Sequence, residues 1–386
     1  MKLILIENGE IHAPEPRGRQ PVLLVDDKVA RIGEADVRLA ASLLELDLEV
    51  IDASGCVVTP GFIDPHSHLI GGSGEEGFAS RSPEIQLQEI VRWGITTVVG
   101  CLGVDATTRP PLSLLAKVKG LEEEGMTAFL YTGHYGIPPA TITGSVRNDL
   151  MAIKEVIGVG EIAISDHRAP QPSSEELARV VVDSHVGGML SRKAGVTHFH
   201  VGDSPRRLKP LFDLLEAYPG EIQPGCLYPS HLNRSPEQQD EGIKLARGGS
   251  FVDMDAAGED MARWVRRYFD QGGDLCRLTL SSDSDSSAPR KLWEMVQQCV
   301  LEYRLPFEKV LPLVTANTAT VLKLADKGRL EPGKDADLLV LRKDSLEIVE
   351  VIARGRRMVK KGDLAIQEKV AETSSRELHL VGEKSS

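Results

Sequence analysis

The sequence predicts an α/β fold: a (β/α)8 TIM-like barrel with a small β-sandwich built from both chain ends. Three observations carry that expectation. Eight apolar, β-branched runs alternate with helix-like segments between residues 61 and 284. The first sixty residues and residues 328–363 both read as short strands and turns. The chain has 386 residues, more than one ordinary core wants, so a large domain plus a smaller one is expected.

At the N-terminus, "KLILIENGEI", "QPVLLVDDKVARIG" and "LEVIDASGCVVTP" are strand-like, separated by turns such as Asp26-Asp27 and Ser54-Gly55. Residues 35–46 leave room for one short helix. The barrel runs are expected at 61–68, 96–100, 128–135, 158–165, 196–203, 223–231, 250–255 and 277–284. Helix-like segments lie between them, for example at 83–93, 145–156 and 259–271. The segment "GRLEPGKDADLLVLRKDSLEIVEVIARGRRMVKKGD" then returns to strands. The expected organisation is a sandwich of residues 1–59 plus 327–370, a catalytic barrel of 60–326 and a polar tail over 371–386. An open doubly wound sheet is the alternative. It would want a glycine fingerprint after its first strand, and "HSHLIGGSG" is a poor one.

Composition narrows the function classes. Hydrophobic residues make up 41% and charged residues 26%, a soluble globular balance. A net charge of −12 with no long basic run argues against a nucleic-acid or anionic-membrane surface. The five cysteines form no CxxC pair and are odd in number, which suits a reducing compartment. The start, "MKLILIENGE", is too short in apolar residues for a signal-peptide core or a membrane span. A cytoplasmic protein is expected.

The chemistry concentrates in "PGFIDPHSHLIGGSGEEG", residues 60–77. His66 and His68 are i and i+2 on a strand, so they share a face. In a barrel that face is the interior, and the strand's C-terminal end opens on the active-site mouth. Neutral imidazoles held there are natural zinc ligands. The bland alternative is a pair of buried, hydrogen-bonded histidines. More candidate ligands end later runs, however: Glu161 the fourth, His200 the fifth, His231 the sixth and Asp283 the eighth. That pattern favours a metal site. His198 shares a face with His200 but lies a layer deeper and reads as a packed core histidine. His134 and His167 read as neighbours rather than actors. Asp285 would share a face with Asp283 if the eighth strand ran that far. Trp93, Trp264 and Trp293 sit in helix-like segments and read as packing residues.

"PGFIDPHSHL" and "GRLEPGKDADLLVL" resemble the first-strand and C-terminal sandwich motifs of the amidohydrolase superfamily, binuclear metal hydrolases on a (β/α)8 barrel. Within it, the chain resembles the isoaspartyl (β-aspartyl) dipeptidases. That likeness rests on "HLIGGSGEEG", "LLAKVKGLEEEGMTAFLYTGHYGIPPATITGSV", "AISDHRAPQP", "FHVGDSPRRLKPLFDLLE", "PSHLNRSP" and "LSSDSDSS", and runs from about residue 3 to about 365. The resemblance implies two divalent metal ions, zinc first among them. His66, His68 and Asp283 would hold one, and His200 and His231 the other. Glu161 would bridge them, where the family pattern carries a carboxylated lysine.

The resemblance also assigns Glu75, Tyr135, Arg168, Arg234 and Ser287 to substrate binding. A β-aspartyl dipeptide carries an α-ammonium and two carboxylates. A glutamate suits the first, and arginines suit the others in bidentate fashion. A metal-bound hydroxide would attack the side-chain amide, Tyr135 would donate to the oxyanion, and Asp283 would carry the proton to the leaving amine. A small peptide substrate and a homo-oligomer are implied, with no nucleic acid or membrane partner. Two other readings compete: a hydrolase of cyclic amides or N-acyl amino acids, and a non-catalytic scaffold on the same fold. Every expected ligand position carries a ligating residue, which weighs against the scaffold.

Overall fold

The computed structural model describes residues 1–34, 36–285 and 289–367. Eight parallel strands form the barrel wall: β1 (Phe62–Ser67), β2 (Ile95–Gly100), β3 (Thr127–Thr132), β4 (Val156–Ile164), β5 (Val196–Val201), β6 (Leu227–Ser230), β7 (Val252–Asp255) and β8 (Leu278–Ser281). Each expected run holds one strand. β1 to β6 pair in chain order, and β7 pairs with β8. Backbone bonds close the ring at two seams. Asp283 N donates to His66 O at 3.1 Å and His68 N to Ser284 O at 2.9 Å, tying the end of β8 to β1. Leu232 N donates to Asp253 O at 3.3 Å, tying the end of β6 to β7.

The strands are buried along nearly their whole length because both faces are covered, as in parallel sheets generally. Every residue of β2 is buried. Outside, Leu114, Val118 and Leu121 of helix Pro111–Glu124 and Leu177 and Val181 of helix Ser174–Ser191 join the core with Val98, Leu130 and Ile162. Burying each such side chain contributes about 1.5–3 kcal/mol. A capping box sets the start of the longer helix. Ser173 Oγ accepts from Glu176 N at 3.3 Å, and Glu176 Oε2 accepts from Ser173 N at 2.9 Å.

Helices are shorter than their apolar pattern suggests. The segment expected at 83–93 is helical only over Leu87–Val91, because Ile85 N is taken by Leu69 O at 3.1 Å and the chain is tied to the preceding loop. The other two shrink to Val146–Ala152 and Ala262–Asp270. Trp264 and Trp293 lie in helices, while Trp93 follows one and packs on Trp293 at 5.5 Å.

Both chain ends meet in the second unit. One sheet is ordered Lys28–Ile32, Val22–Val25, Leu3–Glu7, Leu48–Asp52. In the other, Leu338–Arg342 pairs antiparallel with Cys56–Pro60, so residues far apart in sequence become neighbours. Ile4, Ile6, Leu24, Val58, Val340 and Ile352 share the core between the sheets. The one short helix is Val37–Leu43. The tail at 371–386 lies outside the described residues. Among those described, no helix is long and apolar enough to cross a membrane.

Candidate metal centre

The expected ligands converge on the C-terminal mouth of the barrel. His66 ends β1 and His68 lies just past it; Glu161 and His200 sit in β4 and β5; His231 follows β6; Asp283 lies two residues past β8. At His231 and Asp283 the backbone adopts φ of 66° and 45°, the left-handed region. β8 stops at Ser281, so Asp285 is not on the same strand face as Asp283; it lines the mouth instead.

Glu161 is fully buried, and its two oxygens face different groups. Oε2 lies 3.3 Å from His66 Nε2 and 3.6 Å from His68 Nε2. Both of those nitrogens also approach Asp283 Oδ1, at 3.2 and 3.3 Å. Oε1 lies 3.2 Å from His200 Nδ1 and 3.3 Å from His231 Nε2. One carboxylate thus stands between two sets of imidazoles. The pairing of β4 with β5 shifts between Val159 and Ile162, an irregularity at this residue. Gly160 permits it, since a Cβ there would meet His198 Cβ and O at 2.8 Å.

Burial alone would push the Glu161 carboxyl up; the imidazoles, His66 foremost, hold it well below the usual range. Burial likewise opposes charge on His66, but Glu161, Cys101 and Asp283 pull its pKa well above normal. A field that draws a proton so strongly also draws a metal cation. His66 Nε2 and Glu161 Oε2 are buried without a hydrogen-bond partner. Such atoms are costly unless a cation lies between them. Imidazole and carboxylate donors of this kind fit a divalent transition metal.

His198, expected only to pack, and Asp166, Asp255 and Cys101, which the sequence did not single out, hold these rings in place. His198 Nδ1 donates to Tyr228 O at 3.0 Å, so its Nε2 accepts from His66 Nδ1 at 3.2 Å. In a neutral ring this leaves the lone pair on His66 Nε2, facing Glu161. His198 is therefore more than a packed core histidine. His231 Nδ1 donates to Asp255 Oδ2 at 2.8 Å, and His200 Nε2 to Asp166 Oδ2 at 3.0 Å. Cys101 Sγ lies 3.8 Å from His68 Nδ1. Such partners set the tautomer of ligating histidines. Asp255 ends a barrel run and Cys101 directly follows one, so the signal that found Glu161 would have found them.

The mouth is a cavity of about 310 Å³ lined by Glu75, Tyr135, Arg168, Arg234, His200 and Asp283, among others. Tyr135 OH lies 2.8 Å from His200 Nδ1, and burial pushes its phenol well up, so it stays a donor. Arg168 is half-buried and Arg234 exposed. Arg168 Nε and Nη2 donate to Asp166 at 2.8 Å, and Nη1 donates to Glu75 Oε1 at 2.6 Å. Glu75 and Arg168, expected at opposite charges of a ligand, hold each other. Ser287 lies outside the described residues. His167 is exposed, and His134 Nδ1 accepts from Ala140 N, consistent with minor parts for both.

An amidohydrolase family model matches residues 49–108, which include the first two barrel strands, and residues 282–362, which include the returning sandwich strands. A solved β-aspartyl dipeptidase from Fervidobacterium islandicum AW-1 is 40% identical, covers 95% of this chain and 99% of its own, and superposes with a TM-score of 0.88. This chain belongs to the amidohydrolase superfamily. A second structure of the Fervidobacterium enzyme, 39% identical and with the same TM-score and coverage, is a complex with a β-Asp-Leu dipeptide. By sequence, the imidazolonepropionase of Geobacillus kaustophilus is 26% identical over 382 aligned positions, 87% of this chain and 82% of that one.

Proposed function

We propose that this amidohydrolase hydrolyses β-aspartyl dipeptides. The observation that carries the reading is the Glu75–Arg168 pair at the mouth, 2.6 Å apart. An α-amino acid head carries an ammonium and a carboxylate on one carbon. It satisfies both partners when it separates them, whereas a singly charged ligand leaves one charge without a partner. A β-aspartyl dipeptide has that head; an α-aspartyl dipeptide does not, because its α-carboxyl group is the amide. The 40% likeness to a β-aspartyl dipeptidase over nearly the whole chain supports the same conclusion.

His66, His68 and Asp283 would hold one divalent ion and His200 and His231 a second, with Glu161 between them; the donor set suits zinc. Bound there, such ions supply a Lewis acid for the carbonyl and a water of lowered pKa. Arg168 and Arg234 hold the substrate carboxylates, and Ser287 belongs to the same group by its motif. Tyr135 donates its proton towards the developing oxyanion. Asp283 accepts a proton and passes it to the leaving amine. Five cysteines with no disulfide support a reducing, cytoplasmic setting.

The test is a side-by-side assay of metal-replete protein on β-Asp-Leu, α-Asp-Leu, dihydroorotate, an imidazolone and an N-acetyl amino acid. An arginine left without its carboxylate loses about 1.5–3 kcal/mol, so the β-isomer should be favoured at least about 10²-fold at the upper end. Arg168→Ala should erode that ratio more than Arg234→Ala, because solvent screens the exposed arginine. Equal rates on both isomers would refute the reading. Turnover of the imidazolone without the β-isomer would move the chain towards the imidazolonepropionases that it also resembles by sequence.

A further inference from the structure

Arg109, just before helix Pro111–Glu124, lines the mouth cavity at its rim and faces none of the expected metal ligands, yet it is only 6% exposed. Its guanidinium reaches three backbone carbonyls of the glycine-rich segment after β1. Nε donates to Ile70 O at 3.1 Å, Nη2 to Ser82 O at 2.9 Å, and Nη1 to Ser73 O at a longer 3.5 Å. Ile70 and Ser82 lie at the two ends of the loop that carries Glu75. The same ends are bonded directly. Gly72 N donates to Ser82 Oγ at 2.8 Å, and Ser82 N to Gly72 O at 3.3 Å. Gly71 sits at φ 79°, where a Cβ would meet Ser82 O at 2.3 Å, so the two ends touch with no room for a side chain.

We propose that Arg109 is a positioning residue: it clasps the neck of the 72–82 loop to the barrel rim and thereby sets where Glu75 stands. The planar, five-donor fork suits this task, because one rigid group can bind carbonyls from both sides of a neck. With the neck fixed, only the tip of the loop is free to respond. That tip carries Glu75, whose carboxylate meets Arg168, and Arg168 in turn binds Asp166, the partner of His200. Loosening the neck therefore displaces the group that reads the ammonium without touching a metal-facing atom.

The kinetic part of the test rests on the β-aspartyl dipeptidase reading; the proteolytic part does not. Arg81 sits in this loop, exposed, and offers trypsin one peptide bond. Arg109→Met should speed cleavage after Arg81 in the otherwise intact, metal-replete protein. It should raise KM for β-Asp-Leu about 10-fold or more, the scale of a lost charged hydrogen bond, with kcat less affected. Arg109→Lys, which keeps a cation but not the fork, should fall between. In the background of Glu75→Gln, the Arg109→Met effect on KM should vanish, because both changes act through one carboxylate. Ser82→Ala opens the neck from its other side and should shift both readouts in the same direction, so it decides the matter if Arg109→Met does not fold. Unchanged trypsin cleavage in both Arg109→Lys and Ser82→Ala overturns the clasp. Full additivity with Glu75→Gln also overturns it, since Arg109 would then act on the substrate directly. If the unchanged protein does not hydrolyse β-Asp-Leu, the functional reading fails while the cleavage result still judges the clasp.

Discussion

His198 Nε2 lies 3.2 Å from Nδ1 of His66, on the side of that ring away from Glu161 and Asp283. Because the Tyr228 carbonyl takes the single ring proton of neutral His198, the direction of both hydrogen bonds is set by a backbone acceptor that cannot reverse. His66 Nδ1 must donate, so that whenever the ring is neutral its Nε2 presents the lone pair.

His198→Phe keeps the ring volume and the stacking on Tyr131, whose centroid is 5.0 Å away. It removes the acceptor for His66. Metal affinity should fall about 10–100-fold, as for other lost partners of ligating histidines. Competition with a chelator measures this, with circular dichroism as a check on the fold. Unchanged retention would return His198 to a packing role.

Glu161 brings its own carboxylate, so metal uptake by the metal-free protein should be indifferent to bicarbonate. Glu161→Gln replaces a charged oxygen facing each group of imidazoles with a neutral amide. If the protein binds the two ions proposed, the metal count per chain should drop below two. A strong bicarbonate requirement in the unchanged protein, or full activity with a single ion, contradicts the bridging role.

Asp283 touches both His66 and His68 from the rim. Asp283→Asn should lower kcat by about 10²–10⁴-fold, the usual worth of a general acid–base group. Metal content must be read in the same samples. Near-normal kcat with the metals still bound removes Asp283 from proton transfer.

Gly160→Ala drives a methyl group into His198 Cβ and O at 2.8 Å. Neither atom is the end of a flexible chain, so the strand itself must move. Overpacking of this kind costs about 1–3 kcal/mol. The midpoint of chemical denaturation should fall accordingly, and metal retention with it, because the neighbouring residue is Glu161. A variant as stable as the parent would mean that the strand has slack.

The barrel was legible because parallel strands buried on both faces are mostly apolar, and such runs stand out between polar helices. β2 and β5 are examples, expected at 96–100 and 196–203 and found at Ile95–Gly100 and Val196–Val201. The ligands were legible for a related reason. A histidine or acid ending an apolar run has little cause to be there unless the run's end is a site. Helix lengths were not legible, because periodicity is blind to a tertiary bond such as Ile85 N to Leu69 O that withdraws residues from the helix.

What the sequence determined by itself is therefore the set of elements and the chemical types at their ends: His66, His68, Glu161, His200, His231 and Asp283 on one rim, with Glu75 and two arginines beside them. Tertiary structure decided how those groups pair. Glu161 facing two ways, His198 turning His66, Asp255 turning His231 and Glu75 holding Arg168 are all contacts between residues on different strands or loops. Local propensity acts over a few residues along the chain, whereas a hydrogen bond is fixed within about 3 Å in space. Only closing the barrel, which brings the end of β8 against β1, creates the geometry on which the proposed chemistry depends.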